Sequence, residues 1–176
     1  MPKPLAYFIT FSNYGTRLHG SENGSVDRNH NQYGSNLIPP KPSLESYEKQ
    51  TQKNTPVTFE PKHRQIIFET IREVCAYRHW CLFAIHVRTN HVHVVVSVDT
   101  EPEKALHDFQ AYATRHLRQA YPIFKDRKIW TRHGSTRYLW NRKQFLDAIS
   151  YVVHGQGEHM EYWYDEVFYE KLKRLS

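Results

Sequence analysis

The sequence has few cysteines and no long apolar run. Only Cys75 and Cys81 occur, which is too few for a disulfide framework and the wrong spacing for a zinc site. No apolar stretch approaches the ~20 residues of a membrane span, and the opening segment, MPKPLAYFITF, lacks the apolar core and cleavage site of a signal peptide. We therefore expect a soluble protein of the reducing cytoplasm, without a membrane partner.

The length and charge of the chain narrow the class of protein further. A chain of 176 residues is long enough for one packed core, so we expect a single domain over residues 1–176. Lys and Arg number 24 against 18 Asp and Glu, giving a net charge of +6. This balance favours an anionic partner, most often nucleic acid. The 12 tyrosines add rings on which bases could stack.

Apolar periodicity predicts the order of the elements, and no internal repeat or low-complexity tract is present. The predicted elements are a strand at Leu5–Gly15, a helix from Pro61, two hairpin strands joined at Thr89 and Asn90, a helix from Thr100 to about Tyr121, and a last helix near Arg142–His154. The first strand carries bulky side chains on both faces, which is typical of a central strand.

A stretch rich in Gly, Asn, Ser and Pro at about 16–60 predicts a long irregular insertion, with a short helix at Leu44–Lys53. The order of the remaining elements favours an α+β fold. We expect a ferredoxin-like antiparallel sheet with helices packed on one face.

The segment RTNHVHVVVSVD, residues 88–99, places two histidines at the head of a run of valines. Valine is stiff at χ1 and packs well on a pleated surface, so the run predicts a strand. His91 and His93 then lie on the same face, roughly 7 Å apart along the chain. Two imidazoles in this arrangement could bind one metal ion, or could form a polar strand end that meets water.

Tyr151 lies away from the apolar stripe of the last helix, about 160° from Ile149 and Val153. It is therefore a solvent-facing ring or a nucleophile presented to the sheet. A phenol is a weak nucleophile near neutral pH and requires a base or a cation to act. A divalent ion on His91 and His93 would supply part of that help and would neutralise an attacked phosphate.

The segment from Lys125 to Lys143 is basic and contains aromatic rings. Cations follow phosphates and rings stack on unpaired bases, a composition typical of a surface for single-stranded or hairpin DNA. A solvated charged face is the alternative. The residues that we predict to contact DNA are Arg127, Lys128, Trp130, Arg132, His133, Arg137, Trp140, Arg142 and Lys143.

These motifs together resemble those of the HUH single-tyrosine transposases of insertion sequences, and most of all their domesticated relatives, the REP-associated tyrosine transposases. RTNHVHVVV resembles the metal motif of the family, IWTRHGSTRYLW the stretch before its last helix, and AISYVVHGQGE the helix that carries the nucleophile. The resemblance extends from Leu5 to Glu158, and the insertion at 16–60 is the least comparable part.

The resemblance implies an HUH endonuclease fold in which His91 and His93 bind Mg²⁺ or Mn²⁺. It implies that Tyr151 attacks a phosphodiester of single-stranded DNA, leaving a 5′-phosphotyrosine and a free 3′-OH. The third metal ligand of the family is usually Gln or Asn four residues after the tyrosine, where this chain has Gly155. We assign that role to Gln156, and His154 is the alternative.

Three alternatives remain open from the sequence. The chain could be a hairpin DNA-binding protein that kept the fold without catalysis, because Gly155 departs from the family pattern. It could be an RNA-binding ferredoxin-like module, which would need exposed rings on its sheet. In a homodimer, Tyr151 could serve the histidine pair of the partner.

Overall fold

The computed structural model describes residues 3–15 and 55–175, together with the isolated positions 42, 43, 46 and 50. Apart from positions 46 and 50, which are helical, the helix predicted at Leu44–Lys53 lies outside the described residues, as does most of the insertion predicted at 16–60. Residues 55–60 form neither helix nor strand. Val57 and Phe59 in this segment are buried and join the core.

The described residues form a five-stranded antiparallel sheet with helices. The strands are β1 (Ala6–Ser12), β2 (Cys81–Val87), β3 (His91–Ser97), β4 (Ser135–Leu139) and β5 (Glu161–Tyr164), and the helices are α1 (Pro61–Arg78), α2 (Pro102–Ala120), α3 (Arg142–His154) and α4 (Glu166–Arg174). The order in the sheet is β4-β1-β3-β2-β5, and every neighbouring pair is antiparallel. The predicted α+β, ferredoxin-like class is confirmed, and β1 is an interior strand as expected.

The helices cover both faces of the sheet, so the prediction that they pack on one face is wrong. Tyr7, Ile9 and Phe11 of β1 pack in the core beneath α1 and α2. Ala6 and Phe8, which alternate with them, pack in a second core against α3 and α4. The physical reason is that β1 is apolar on both sides, so each side must be removed from water.

The register of the three inner strands determines which residues are paired across neighbouring strands. Thr10 of β1 pairs with His93 of β3, and His93 pairs with His86 of β2. Ser12 pairs with His91. The hairpin between β2 and β3 closes with a hydrogen bond from the Arg88 N–H to the His91 carbonyl at 2.8 Å.

Pro61 occupies the first turn of α1, as the sequence predicts, where its missing N–H costs no helical hydrogen bond. Over the part of the chain that the structure describes, none of the helices combines the length and the apolar character that crossing a bilayer would demand.

We expect Phe109→Ala to destabilise the fold by about 3–5 kcal/mol, the usual cost of removing a buried phenyl ring. Phe109 is completely buried and packs edge-on against Trp80 with ring centroids 5.9 Å apart. Urea unfolding followed by circular dichroism measures the loss. Tyr77→Ala, at a ring that is 76% exposed, is the control and should change stability by less than about 0.5 kcal/mol. Equal losses in the two variants would contradict the described core.

Candidate active site

His91 and His93 lie at the start of β3 and point to the face of the sheet that α3 covers. Alternate residues Val92, Val94 and Val96 enter the core on the opposite face, which leaves the two histidines side by side. Their ring centroids are 4.6 Å apart. The valine run therefore anchors the strand through one face and presents both imidazoles on the other.

Hydrogen bonds at the Nδ1 atoms orient the two imidazoles. His91 Nδ1 lies 2.5 Å from the Asn90 side-chain oxygen, and His93 Nδ1 lies 2.8 Å from the Thr10 hydroxyl. Both Nε2 atoms consequently face the same point. A partner at one ring nitrogen is the usual way in which a protein fixes the direction of a metal-binding imidazole.

Gln156 supplies a third donor atom at this point. Its Oε1 lies 3.2 Å from the Nε2 atom of His91 and 3.2 Å from that of His93. The amide Nε2 of Gln156 donates to the main-chain carbonyl of Tyr151 at 3.3 Å. Because that carbonyl can only accept, the hydrogen bond turns the amide oxygen toward the histidines.

The turn after α3 explains why Gln156 reaches the site from a position five residues after the tyrosine. α3 ends at His154, and Gly157 adopts the left-handed region with φ +73°. A Cβ atom at Gly155 would lie 2.8 Å from the Tyr151 Cδ2 atom and 2.8 Å from the Tyr151 carbonyl oxygen. A side chain at 155 would therefore displace the tyrosine, and the next residue supplies the donor.

His154, the alternative third ligand, lies elsewhere. It is exposed, and its ring contacts the rings of His159 and Tyr164, with centroids 6.4 Å apart in both cases. The geometry favours the assignment of Gln156 over His154.

The three donor atoms fit a bound cation. Asn90 Oδ1 accepts from His91 Nδ1, so Nε2 of the neutral ring carries a lone pair. The Gln156 Oε1 atom also carries lone pairs, and the two acceptors repel unless a proton or a metal ion lies between them. Ligands side by side on one ion at 2.0–2.2 Å are about 3 Å apart, close to the 3.2 Å seen here.

The composition of this donor set is two imidazoles and one amide oxygen. Across residues 3–15 and 55–175, no group of three or more His, Cys, Asp or Glu side chains could hold a metal ion. The Gln156 amide therefore matters, because among the described residues it is the side chain that brings an oxygen to both histidines. Imidazole favours Mn²⁺ over Mg²⁺, and an amide oxygen suits either ion.

Tyr151 lies beside these three donor atoms. Its side chain is 47% exposed, consistent with its predicted place off the apolar stripe of α3. Its ring meets His93 and Phe8 edge to face, with centroids 5.6 and 5.9 Å apart. The phenol is thus held over the sheet by two rings and remains accessible to solvent.

His86, which the sequence reasoning missed, ties α3 to the sheet. It is completely buried. Its Nδ1–H donates to the Val152 carbonyl at 2.9 Å, and its Nε2 accepts from the Met160 N–H at 3.1 Å. Burial lowers the pKa of His86, so the ring stays neutral and keeps both hydrogen bonds. The only sequence signal was its place in an otherwise apolar strand beside the His91–His93 strand.

The residues predicted to contact DNA divide into separate groups. Arg132 and His133 are exposed in a loop whose first residue, Thr131, bonds through its N–H to the Ser12 carbonyl at 3.0 Å. Ser12 pairs with His91 on its other side. These two side chains therefore belong to the same end of the sheet as the histidine pair, about 10 Å away across two strands.

Arg137 lies on the face that carries the candidate site. Its guanidinium carbon is 5.3 Å from the centre of the Phe8 ring, and Phe8 is also the ring that Tyr151 contacts. Arg127 and Lys128 lie before the loop, where the Lys128 ammonium is 4.9 Å from the centre of the Tyr14 ring.

The remaining basic residues that we predict to contact DNA lie at the start of α3. Arg142 donates to the Leu175 carbonyl at 2.5 Å, and Lys143 pairs with Asp147 at 2.7 Å. Lys143 precedes Tyr151 by eight residues, about 12 Å along the helix. Trp140, just before α3, is half exposed.

Trp130 corrects the prediction for this segment. Only 7% of its surface is exposed, and it packs edge to face against Phe11 and Phe59. Its indole N–H donates to the Thr114 hydroxyl at 2.9 Å. A ring enclosed in this way is a core residue and has no free face for a base. Tryptophan in a basic segment is compatible with either role, so composition alone did not distinguish them.

Two histidines and an amide oxygen thus converge beside a tyrosine on an antiparallel sheet. The family model described as Transposase IS200 like matches residues 50–154, which is more than half of the chain. The chain belongs to this family of transposases. The match includes the histidine pair and Tyr151 and ends before Gln156.

A solved structure supports the fold. It is described as a REP-associated tyrosine transposase bound to a REP hairpin, and it superposes with a TM-score of 0.50 at 12% sequence identity. The match covers 88% of this chain and 67% of that one. No curated protein sequence matches the chain.

The buried His86 predicts a loss of stability in acid. The unfolded chain binds a proton at this residue near its ordinary pKa of about 6.5, whereas burial lowers the pKa in the folded chain. The unfolded state then holds more protons below that pH, so the free energy of unfolding should decrease as pH falls from 7.5 to 5. Urea titrations across this range should show a weaker pH dependence in His86→Gln. An identical dependence in both proteins would contradict the neutral buried ring.

Proposed function

We propose that the protein nicks and rejoins single-stranded DNA that carries a hairpin, acting as a transposase with a tyrosine nucleophile and a divalent metal. The observation that carries the proposal is the convergence of His91, His93 and Gln156 beside the exposed phenol of Tyr151. Membership in the IS200-like family supports DNA processing as the class of reaction. We propose the cytoplasm as the compartment in which it acts.

His91, His93 and Gln156 would hold Mg²⁺ or Mn²⁺. The bound ion would polarise the scissile phosphate and reduce its negative charge. Asn90 and Thr10 keep the two imidazoles aimed at the ion, and the Tyr151 carbonyl keeps the amide of Gln156 aimed there as well.

In the proposed reaction, the phenolic oxygen of Tyr151 forms a bond to the phosphorus of a phosphodiester. The bond from phosphorus to the 3′-oxygen breaks, and the phenolic proton is balanced by the proton that the leaving 3′-oxygen gains. The products are a 5′-phosphotyrosine and a free 3′-OH. Because the number of phosphoester bonds is conserved, a 3′-OH can reverse the step and join a strand.

All of these groups belong to one chain. The Gln156 amide donates a hydrogen bond to the main-chain carbonyl of Tyr151, and its oxygen faces the histidines of the same molecule. We therefore propose that one subunit forms a complete site, and that a homodimer is not required for cleavage.

The basic side chains would hold the DNA around this site. Arg137 lies near Tyr151 across the Phe8 ring, a suitable place for a phosphate next to the cleaved bond. Arg132 and His133 extend the same end of the sheet. The solved transposase of similar fold is bound to a hairpin, which supports hairpin DNA as the ligand here.

Tyr151→Phe should abolish the covalent adduct and retain hairpin binding, because the change removes only the phenolic oxygen from a half-exposed ring. Labelled single-stranded hairpin DNA with Mn²⁺, resolved on a denaturing gel, measures the adduct. Tyr162→Phe is the matched control, since Tyr162 is also partly exposed but lies on β5, and it should form the adduct normally. An adduct in Tyr151→Phe would contradict the assigned nucleophile. Tight hairpin binding by the wild-type protein without any adduct would instead favour the non-catalytic alternative.

Gln156→Ala should weaken Mn²⁺ binding by at least about tenfold, because it removes one of three donor atoms. Isothermal titration calorimetry with MnCl₂ measures the affinity without reference to cleavage. His154→Ala should bind Mn²⁺ as the wild type does, because His154 faces His159 and Tyr164. The opposite result, a loss in His154→Ala and none in Gln156→Ala, would transfer the third ligand to the histidine.

A further inference from the structure

The segment 127–134 and the helix α2 run side by side in opposite directions. Three contacts join them, one near each end of the segment and one between. The contacts are a hydrogen bond from the Arg118 guanidinium to the Arg127 carbonyl at 3.2 Å, one from the Trp130 indole N–H to the Gln110 carbonyl at 3.2 Å, and close packing of Gly134 on the Leu106 side chain. A groove lies between the segment and the helix.

One stripe of α2 lines this groove. Its residues follow one another at spacings of three, one and three, so their side chains leave the helix on the same side. They are His107, Gln110, Ala111 and Thr114, and the cavity that they line has a volume of about 430 Å³. Ala111 is exposed and contributes only a methyl group, which leaves the middle of the groove open to a ligand.

Two polar side chains in the groove can donate hydrogen bonds to a ligand. The Thr114 hydroxyl accepts from the Trp130 indole at 2.9 Å, and its own proton remains to donate. The amide nitrogen of Gln110 is enclosed and has no acceptor among the described residues, which is an unfavourable state for a donor. Rotation about the last torsion of this side chain, which is a soft one, turns the donor toward the groove.

Positive charge lies at one end of the stripe. Arg118 is exposed and follows Thr114 by four residues, on the same side of the helix. Its hydrogen bond to the Arg127 carbonyl brings a second basic residue to this end. The other end carries Glu103, which accepts a hydrogen bond from the Thr136 hydroxyl. The half of the groove from Thr114 to Arg118 is therefore the half that suits an anion.

The donors of the groove favour the phosphates of a DNA duplex over an unpaired strand. Hydroxyl, amide and guanidinium groups are the side-chain groups that contact phosphates in protein–DNA complexes. An unpaired strand is held in large part by aromatic rings that stack on its bases, and none of the four lining residues is Trp, Tyr or Phe. A duplex keeps its bases paired inside and presents its phosphates, so it requires no such ring.

We propose that this groove binds the phosphate backbone of the paired stem of the hairpin, through Gln110, Thr114 and Arg118. The inference rests on the proposed function for the hairpin and adds a second region of contact. The helix α2 packs on the face of the sheet opposite to the candidate active site. The loop with Arg132 and His133 lies between the two regions, so the stem can lie against α2 while its unpaired flank passes the loop.

Two substitutions of opposite charge at Ala111 test the inference. Ala111→Glu should weaken hairpin binding at least about fivefold at about 0.1 M salt, because the carboxylate would lie close to a phosphate. Ala111→Lys should bind the hairpin more tightly and increase the slope of log affinity against log salt by about one. Both residues are good helix formers. Fluorescence anisotropy with a labelled hairpin across a salt series measures the two effects.

Ala76→Glu is the matched control on another helix. Ala76 is an exposed alanine of α1, one turn after Arg72, whose guanidinium carbon lies 5.9 Å from the centre of the Trp163 ring of β5. Because β5 and β4 are at opposite edges of the sheet, this variant should bind the hairpin within about twofold of the wild type. Thermal melting shows that each variant is folded.

A pair of variants at Thr114 tests the proposed contact itself. Thr114→Val removes the hydroxyl and should weaken hairpin binding about tenfold, the usual effect of losing a hydrogen bond to a charged group. Thr114→Ser keeps the hydroxyl and should bind as the wild type does. An equal loss in both variants would show that the hydroxyl makes no contact with the DNA.

The unpaired flank alone, as a labelled single strand, separates the stem from the flank. Ala111→Glu should bind this strand as the wild type does. Equal hairpin affinity in Ala111→Glu and the wild type would overturn the inference, as would an equal loss on the hairpin and on the unpaired strand. Because anisotropy reports binding alone, an adduct without an effect of Ala111→Glu would refute only this inference. An effect of Ala111→Glu without an adduct would refute only the proposed cleavage.

Discussion

The antiparallel pairing of β3 with β1 and β2 is the constraint on which the candidate site depends. Alternation along β3 sends three valines into one core and two histidines to the other face. The pairing then places Thr10 on one side of His93 and His86 on the other. A shift of one residue in this register would turn the histidines toward α1 and α2 and the valines toward the face that α3 covers. The burial of the valines on one face of β3 thus fixes the positions of the two histidines on the other face.

The second constraint is the connection between Tyr151, the proposed nucleophile, and Gln156, the proposed third metal ligand. Tyr151 contributes its ring to the surface and its carbonyl to the orientation of Gln156. Gly155 allows this, because a side chain there would collide with Tyr151. The tyrosine and the third donor are therefore coupled through the end of one helix. Gln156, the proposed third donor, thus follows Tyr151 by five residues, where the resemblance implies four.

Much of this arrangement could be predicted from periodicity. The valine run gave the strand and the shared face of His91 and His93, and the stripe of α3 placed Tyr151 outside the core. Bulk on both sides of β1 correctly indicated an interior strand. The same two apolar faces require helices on both sides of the sheet, contrary to the prediction of helices on one face. Thr10 and His86 could not be identified, because their roles depend on strand pairing between residues far apart in the chain. Trp130 was misassigned for a related reason, since its partners Phe11 and Thr114 come from β1 and α2.

The burial of Trp130 bears on the conformational entropy that the neighbouring loop would lose on binding DNA. The Trp130 indole fixes one end of the loop that carries Arg132 and His133, and β4 fixes the other end five residues later, at Ser135. A short loop held at both ends has little conformational entropy left to lose when a ligand arrives. The tryptophan that makes no contact with a base would thus contribute to affinity indirectly, by keeping its exposed neighbours in place before any nucleic acid is bound.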